Sequence, residues 1–449
     1  MPTRSASDPR VGGSERQVRR VVLARLVSST GAEAAFLLGL WGKAAFTFGG
    51  TPTDLAVMSA LVGLAGVLGS VLGGVLVDRW DARRVVILAE VVFVPATLAL
   101  VLATNIPQLL LLGIVSWLTA AALETAITSM PPALVAPEGL ERANARLESA
   151  NWLALVIGPA LGAPLVALFG LDSVFVLDAL TSVGAIVLLA TVRLPTRPST
   201  TEEHEDAPSS AWRDTVSGLR YAVTHRPVRT ALYLGALPGL AFGMFIALEP
   251  LFYRDVVGTQ VEVLGYVNAV FGFGLLVGSV VVSRSRGQLS TFRTTILLTV
   301  ASGLGGMVYV ITPWLPMVLV GAVLWSVPLG MVLPLVRTLA QRHADPAFVG
   351  RTMGAYGTAS AAASLLPVVV APSLARAFGV QTVLIVSAAT AAIGAPLVWR
   401  VGRELDRRSP PPGGGEGGVE GDGRAGPVRT GAPPAAGLPI VLESETGVT

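Results

Sequence analysis

Apolar residues in this chain come in long runs rather than scattered among polar ones. Twelve runs stand out, at residues 21–48, 54–77, 85–104, 107–133, 148–170, 172–192, 229–253, 262–283, 293–312, 315–340, 352–375 and 379–401. A helix crosses the hydrocarbon core of a bilayer with about 20 apolar residues, so each run is long enough to span it. The pattern predicts an all-α membrane protein of twelve transmembrane helices. Gaps such as 105–106, residue 171 and 313–314 allow only a reversal of direction, which makes neighbouring helices antiparallel. The longest internal gap, 193–228, divides the helices six and six. It separates an N-terminal bundle over 21–192 from a C-terminal bundle over 229–401.

The polar positions carry a second pattern. Twenty-nine of the 32 Lys and Arg residues lie at the two ends or in alternate gaps, and only Lys43, Arg254 and Arg376 lie elsewhere. Cationic loops resist translocation and remain in the cytosol. An N-terminal tail over 1–20, the 193–228 linker and a tail over 402–449 are therefore expected on the cytosolic side of the cell membrane. Arg25 counts here with the N-terminal cations. The linker holds an acidic patch (Glu202, Glu203, Glu205, Asp206) and then residues 211–224, which read as a short amphipathic helix. The last forty or so residues, with a Pro-Pro-Pro-Gly-Gly-Gly run and no aromatic residue, are too poor in apolar side chains to build a core and are expected to be disordered. The apolar run after residue 20 is too long for a cleavable signal, so it is read as a retained first helix.

Composition narrows the function classes. Apolar residues make up 52% and charged residues 14%, against about 25% charge in ordinary soluble domains. The mean hydropathy is +0.67. The excess of Arg lies in short loops beside membrane segments, which argues against a nucleic-acid partner and for the lipid bilayer itself. There is no Cys, which excludes thiol chemistry and disulfides. The three histidines, His204, His225 and His343, are too scattered for a metal site. Gly42-Lys43 is followed by Ala44 inside an apolar run, so no phosphate-binding loop is present. An enzyme, a resident metal and a cofactor are not expected.

One loop is more specific. Between the second and third runs stands Gly74-Val-Leu-Val-Asp78-Arg79-Trp-Asp81-Ala-Arg83-Arg84. Positive-inside arginines explain its cations but not a carboxylate four residues after a glycine. The stretch resembles the signature loop of the major facilitator superfamily, G-x-x-x-D-R-x-G-R-R, and departs from it with Asp81 in place of the usual Gly and with Ala82 before the Arg pair. The resemblance implies two six-helix bundles of the major facilitator fold. It also implies that Asp78 caps the start of the eleventh helix, near Thr352, when the cytosolic side is closed, with Arg79 and Arg83 joining the charge relay. The equivalent turn of the second half, 278–286, lacks the Asp. In the fifth run, Ile157-Gly158-Pro159-Ala160-Leu161-Gly162, preceded by Ala143-Asn144-Ala145, is similar to the antiporter pattern of that superfamily's enterobactin-exporter-like and multidrug-exporter-like group. Gly158, Pro159 and Gly162 serve either antiport or plain close packing. The Arg that drug–proton antiporters carry in helix four is missing.

Charges within apolar runs complete the candidates, because a charge at the bilayer centre costs on the order of 2.5–3.5 kcal/mol on insertion scales and usually faces a cavity or a partner. Glu33 lies near the midplane of the first run, beside Ser28, Ser29 and Thr30. It is read as a cavity group or half of a structural pair. Lys43, the only lysine, lies about 15 Å further along the same helix and is expected either to snorkel to the outer surface or to take part in the cavity. Glu124, Glu90, Asp178 and Glu249 are either substrate and proton groups or structural pairs. The expected function is a proton-coupled secondary active exporter of a small amphipathic or hydrophobic compound (a drug, siderophore or natural product), working as a monomer by alternating access. An importer or facilitator of a polar solute, and a non-transporting sensor or scaffold, are the alternatives.

Overall fold

The computed structural model describes residues 9–135, 137–192, 220–285, 287–345 and 349–408. Most of the linker and the tail beyond 408 fall outside these residues, together with the expectations placed on them. Among the described residues all regular structure is helical. Helix α1 is Pro9–Ala34, prolonged by π-helical turns Ala35–Trp41 and Lys43–Thr47; α2 is Pro52–Arg79, α3 Ala82–Ala99 and α4 Ile106–Thr128. Then come α5, Pro137–Phe169; α6, Ser173–Ala190; α7, Arg226–Leu251, prolonged by Phe252–Val257; and α8, Val261–Arg284. Last are α9, Phe292–Val310; α10, Leu315–His343; α11, Val349–Phe378; and α12, Val380–Arg408. Eleven are long and apolar enough to cross a membrane, and α11 carries its apolar stretch in Ala362–Phe378. This is a multi-pass membrane protein.

Local chemistry explains where these helices start. Thr51 and Asp54 form a reciprocal capping box at α2, with the Thr51 N–H donating to Asp54 Oδ2 at 2.8 Å. Asn105 accepts from the Gln108 N–H at 2.9 Å to start α4. The signature loop obeys the same rule. The Asp81 carboxylate accepts from the Arg83 N–H at 2.9 Å and caps α3, which gives a physical reason for a carboxylate where the family has Gly. At the far end of α7 the chain turns through Gly258 at φ 70°, a backbone conformation that favours glycine.

Helix packing depends on small side chains, as membrane bundles require. A methyl group on Gly69 would overlap the Leu118 carbonyl, so α2 and α4 meet backbone to backbone. Gly278 and Gly330 play the same part between α8 and α10. Lipid solvates the outer surface, which accounts for exposed Leu168, Val187, Val369 and Leu397.

The two helix sets share a core at one end only. Near the arginine-poor face, Trp41, Leu55 and Met58 join Phe245, Leu251 and Tyr309 in one continuous cluster. Near the arginine-rich face the clusters are separate. Val21, Val86 and Leu123 belong to the first, and Leu234, Phe292 and Val336 to the second. Across the seam, Gly265 and Gly272 of α8 meet Ala163, Leu155 and Val156 of α5, and Gly63 of α2 meets Leu365 of α11.

Candidate functional site

The middle of α1 is polar on one side, and that side faces α4 and α5. Arg25 is only 12% exposed, so it is not a loop cation. Its guanidinium pairs with Glu124 of α4 and donates to Asn151 Oδ1 of α5 at 3.1 Å. These three residues line a cleft of about 310 Å³ with Thr128, Asn144 and Glu148. The cation beside the α4 carboxylate therefore comes from α1. Sequence reading missed it because Arg25 follows a run of surface arginines. The helix also begins at Pro9 rather than at 21, which buries Arg25 well inside it.

Glu33 lies eight residues further along α1, about 12 Å along the axis and about 80° around it. Among the described residues it makes no hydrogen bond or ion pair, while Arg25 and Glu124 lie within its electrostatic reach. Gly158 of α5 presses against it. A methyl group there would come to 2.7 Å from Glu33 Cβ and 2.8 Å from the Thr30 carbonyl. Gly162 meets Ala34 and Leu38 in the same way. Pro159 has no N–H to give to the Leu155 carbonyl, and that carbonyl is where Gly272 of α8 approaches α5. The motif therefore packs α5 against α1 on one side and α8 on the other. One turn beyond Glu33, Phe36 stacks on Trp117 of α4 with centroids 4.3 Å apart.

The other candidates are dispersed. Lys43 does not snorkel. It is 4% exposed and donates to the Leu100 and Val101 carbonyls at 3.0 Å and to Asp172 Oδ1 at 2.7 Å. Those carbonyls end α3 and Asp172 precedes α6, so a buried ammonium with three acceptors is satisfied where it stands, remote from the cleft. Glu90 and Asp178 are buried behind α1, accepting from Ser28 and Thr97 respectively, each at 3.1 Å. Glu249 accepts from Tyr309 and, at 3.4 Å, from Asn268, beneath the shared core. In the signature loop, Gly74 has open space beside it. Arg79 and Arg84 are exposed, and Arg83 donates to the Ala190 carbonyl that ends α6, at 2.6 Å. The Asp78 side chain lies outside the described residues. Among the described residues no group of three or more His, Cys, Asp or Glu is arranged to hold a metal ion.

The model of the family described as "Major Facilitator Superfamily" matches residues 21–368. A "Multidrug efflux pump Tap" of Mycolicibacterium fortuitum is 27% identical over 386 residues, covering 79% of this chain and 90% of that protein. A "Macrolide efflux protein A" of Streptococcus pyogenes is 24% identical over 235 residues, covering 51% and 56%. A solved bacterial homolog of the human lysosomal transporter Spinster, in an inward-facing and unoccupied conformation, superposes with a TM-score of 0.62 at 15% identity, over 89% of this chain and 99% of that one. That last likeness carries the fold alone.

Proposed function

The chain belongs to the Major Facilitator Superfamily, and on that premise we propose that it exports a small amphipathic or hydrophobic compound from the cytosol, driven by protons. The observation that carries this reading is the cleft at Arg25, Glu124 and Asn151, with uncommitted Glu33 and the Phe36–Trp117 stack further along the same helix. The drug and macrolide efflux proteins named above support the direction and the substrate class. In this reading the arginine-rich face is cytosolic and the chain is a monomer in the cell membrane. The separate cores on that face and the shared core on the other then correspond to a cavity reached from the cytosol.

Coupling follows from competition for one carboxyl. Glu33 takes a proton while the cavity is open to the outside. Cytosolic substrate then enters against the aromatic wall and displaces that proton, with Arg25 holding Glu124 in place. Binding energy that differs between the two open states moves the halves past each other. By resemblance, the loop from Gly74 through Asp78 and Arg79 to Arg83 and Arg84 latches the cytosolic side in the opposite state.

Everted membrane vesicles expressing the chain test the reading. With an acidified lumen, uptake of a macrolide or a lipophilic dye is expected, collapsing on addition of a protonophore. Uptake of none of the probes, or uptake of a polar solute only into right-side-out vesicles, overturns it.

A further inference from the structure

Behind the cleft, α1, α3 and α6 turn polar side chains toward one another. Glu90 and Thr97 are seven apart on α3, and Asp178 and Ser182 are four apart on α6, so each pair shares one helix face. Ser28 of α1 faces them. Gly31 lets α1 reach α6, since a methyl group there would stand 2.6 Å from Asp178 Cα. Glu90 and Ser182 are 0% exposed and Asp178 is 1% exposed.

Ser28 donates to Glu90 Oε1 and Thr97 donates to Asp178 Oδ2. That leaves Glu90 Oε2 and Asp178 Oδ1 buried with no hydrogen-bond partner. The Ser182 hydroxyl stands beside Glu90. Buried polar atoms without partners are rare in native structures and call for an explanation. Two carboxylates here also lack a committed cation. Lys43 is taken by Asp172. Arg25, whose field reaches Glu90, is taken by Glu124 and Asn151.

We propose that this buried cluster binds one dehydrated sodium ion, held by Glu90 Oε2, Asp178 Oδ1 and the hydroxyls of Ser182, Ser28 and Thr97. An all-oxygen set suits a hard cation, and neither imidazole nor thiolate is present to favour a transition metal. Calcium takes six to eight oxygens, more than the five ligand atoms named. The ion ties α1 to α3 and α6, which fixes the helix that carries Arg25 and Glu33. The site stands apart from the export reading, because its occupancy is measured without transport.

The test is thermal unfolding of the purified full-length protein in detergent, followed by its intrinsic tryptophan fluorescence. NaCl is compared with KCl and choline chloride at constant ionic strength, at pH 6 and pH 8. The unfolding midpoint is expected to rise saturably with NaCl and not with choline. Half-saturation should need more NaCl at pH 6, where protons compete for the same carboxyls. Asp178→Asn should abolish the response. Ser182→Ala, which removes one neutral ligand and keeps the fold, should raise half-saturation about tenfold, equivalent to about 1.4 kcal/mol. Equal midpoints in NaCl and choline at both pH values overturn the proposal and leave protons as the neutralising species. So does a sodium response that does not saturate, or one unchanged in Ser182→Ala.

Discussion

Arg25 bears the most on the site of any residue and was the least legible. A guanidinium reaches a carboxylate and an amide from separate nitrogens of one planar fork, a spread that the single nitrogen of a lysine ammonium does not reproduce. Arg25→Lys therefore keeps the charge and loses one of the two contacts to Glu124 and Asn151. The variant should insert normally and export at least tenfold more slowly, measured as initial flux at matched expression; unchanged flux would remove Arg25 from the site. In sequence Arg25 follows Arg16, Arg19 and Arg20 and reads as one more cytosolic charge. Only the early helix start shows it to be buried. Glu33, flanked by serines and threonine, was legible because a carboxylate in the middle of an apolar run has few explanations. Lys43 was legible as unusual but not as paired, since its acceptors come from residues 57 to 129 positions away.

At the scale of elements, the helices follow from the length of the apolar runs, because a bilayer leaves the backbone few ways to satisfy itself. Helix partners are harder to read, since every run looks alike from its composition. The glycines carry that information in their spacing, yet sequence gives no means to tell Gly158 from Gly74. The structure separates them: Gly158 is wedged against Glu33 and Thr30, while Gly74 faces open space. Gly158→Ala should cost about 1–3 kcal/mol through overpacking, seen as a lower unfolding midpoint. Gly74→Ala should leave the midpoint unchanged. Equal effects of the two would mean that α5 does not press on α1 as described.

Across the described residues, the halves are held together at the arginine-poor end by apolar packing and by Arg254. Arg254 donates to the Ala45 carbonyl at 2.6 Å and to the Gly50 carbonyl at 3.0 Å, so the end of α7 clasps the end of α1. Its place outside the alternating arginine pattern is explained by this clasp. Arg254→Ala removes charge-assisted bonds that join the two halves at this face, and should shift the population toward the state in which this face is open. The chain has no Cys, so a single Cys at Met58, fully buried in the shared core, reports the shift. An impermeant maleimide added to the arginine-poor face should label it several-fold faster in the Arg254→Ala background. An unchanged rate would deny Arg254 a role in closure.

Proton-driven export through a carboxyl on α1 is tested most directly in proteoliposomes with an imposed pH gradient. The wild-type chain should move a macrolide or lipophilic dye uphill, against its own gradient, for as long as the pH gradient lasts. Glu33→Gln cannot exchange a proton at that position. It should lose uphill movement while retaining downhill exchange, which needs alternating access but no coupling. Uphill transport by Glu33→Gln at the wild-type rate would rule out Glu33 as the coupling group.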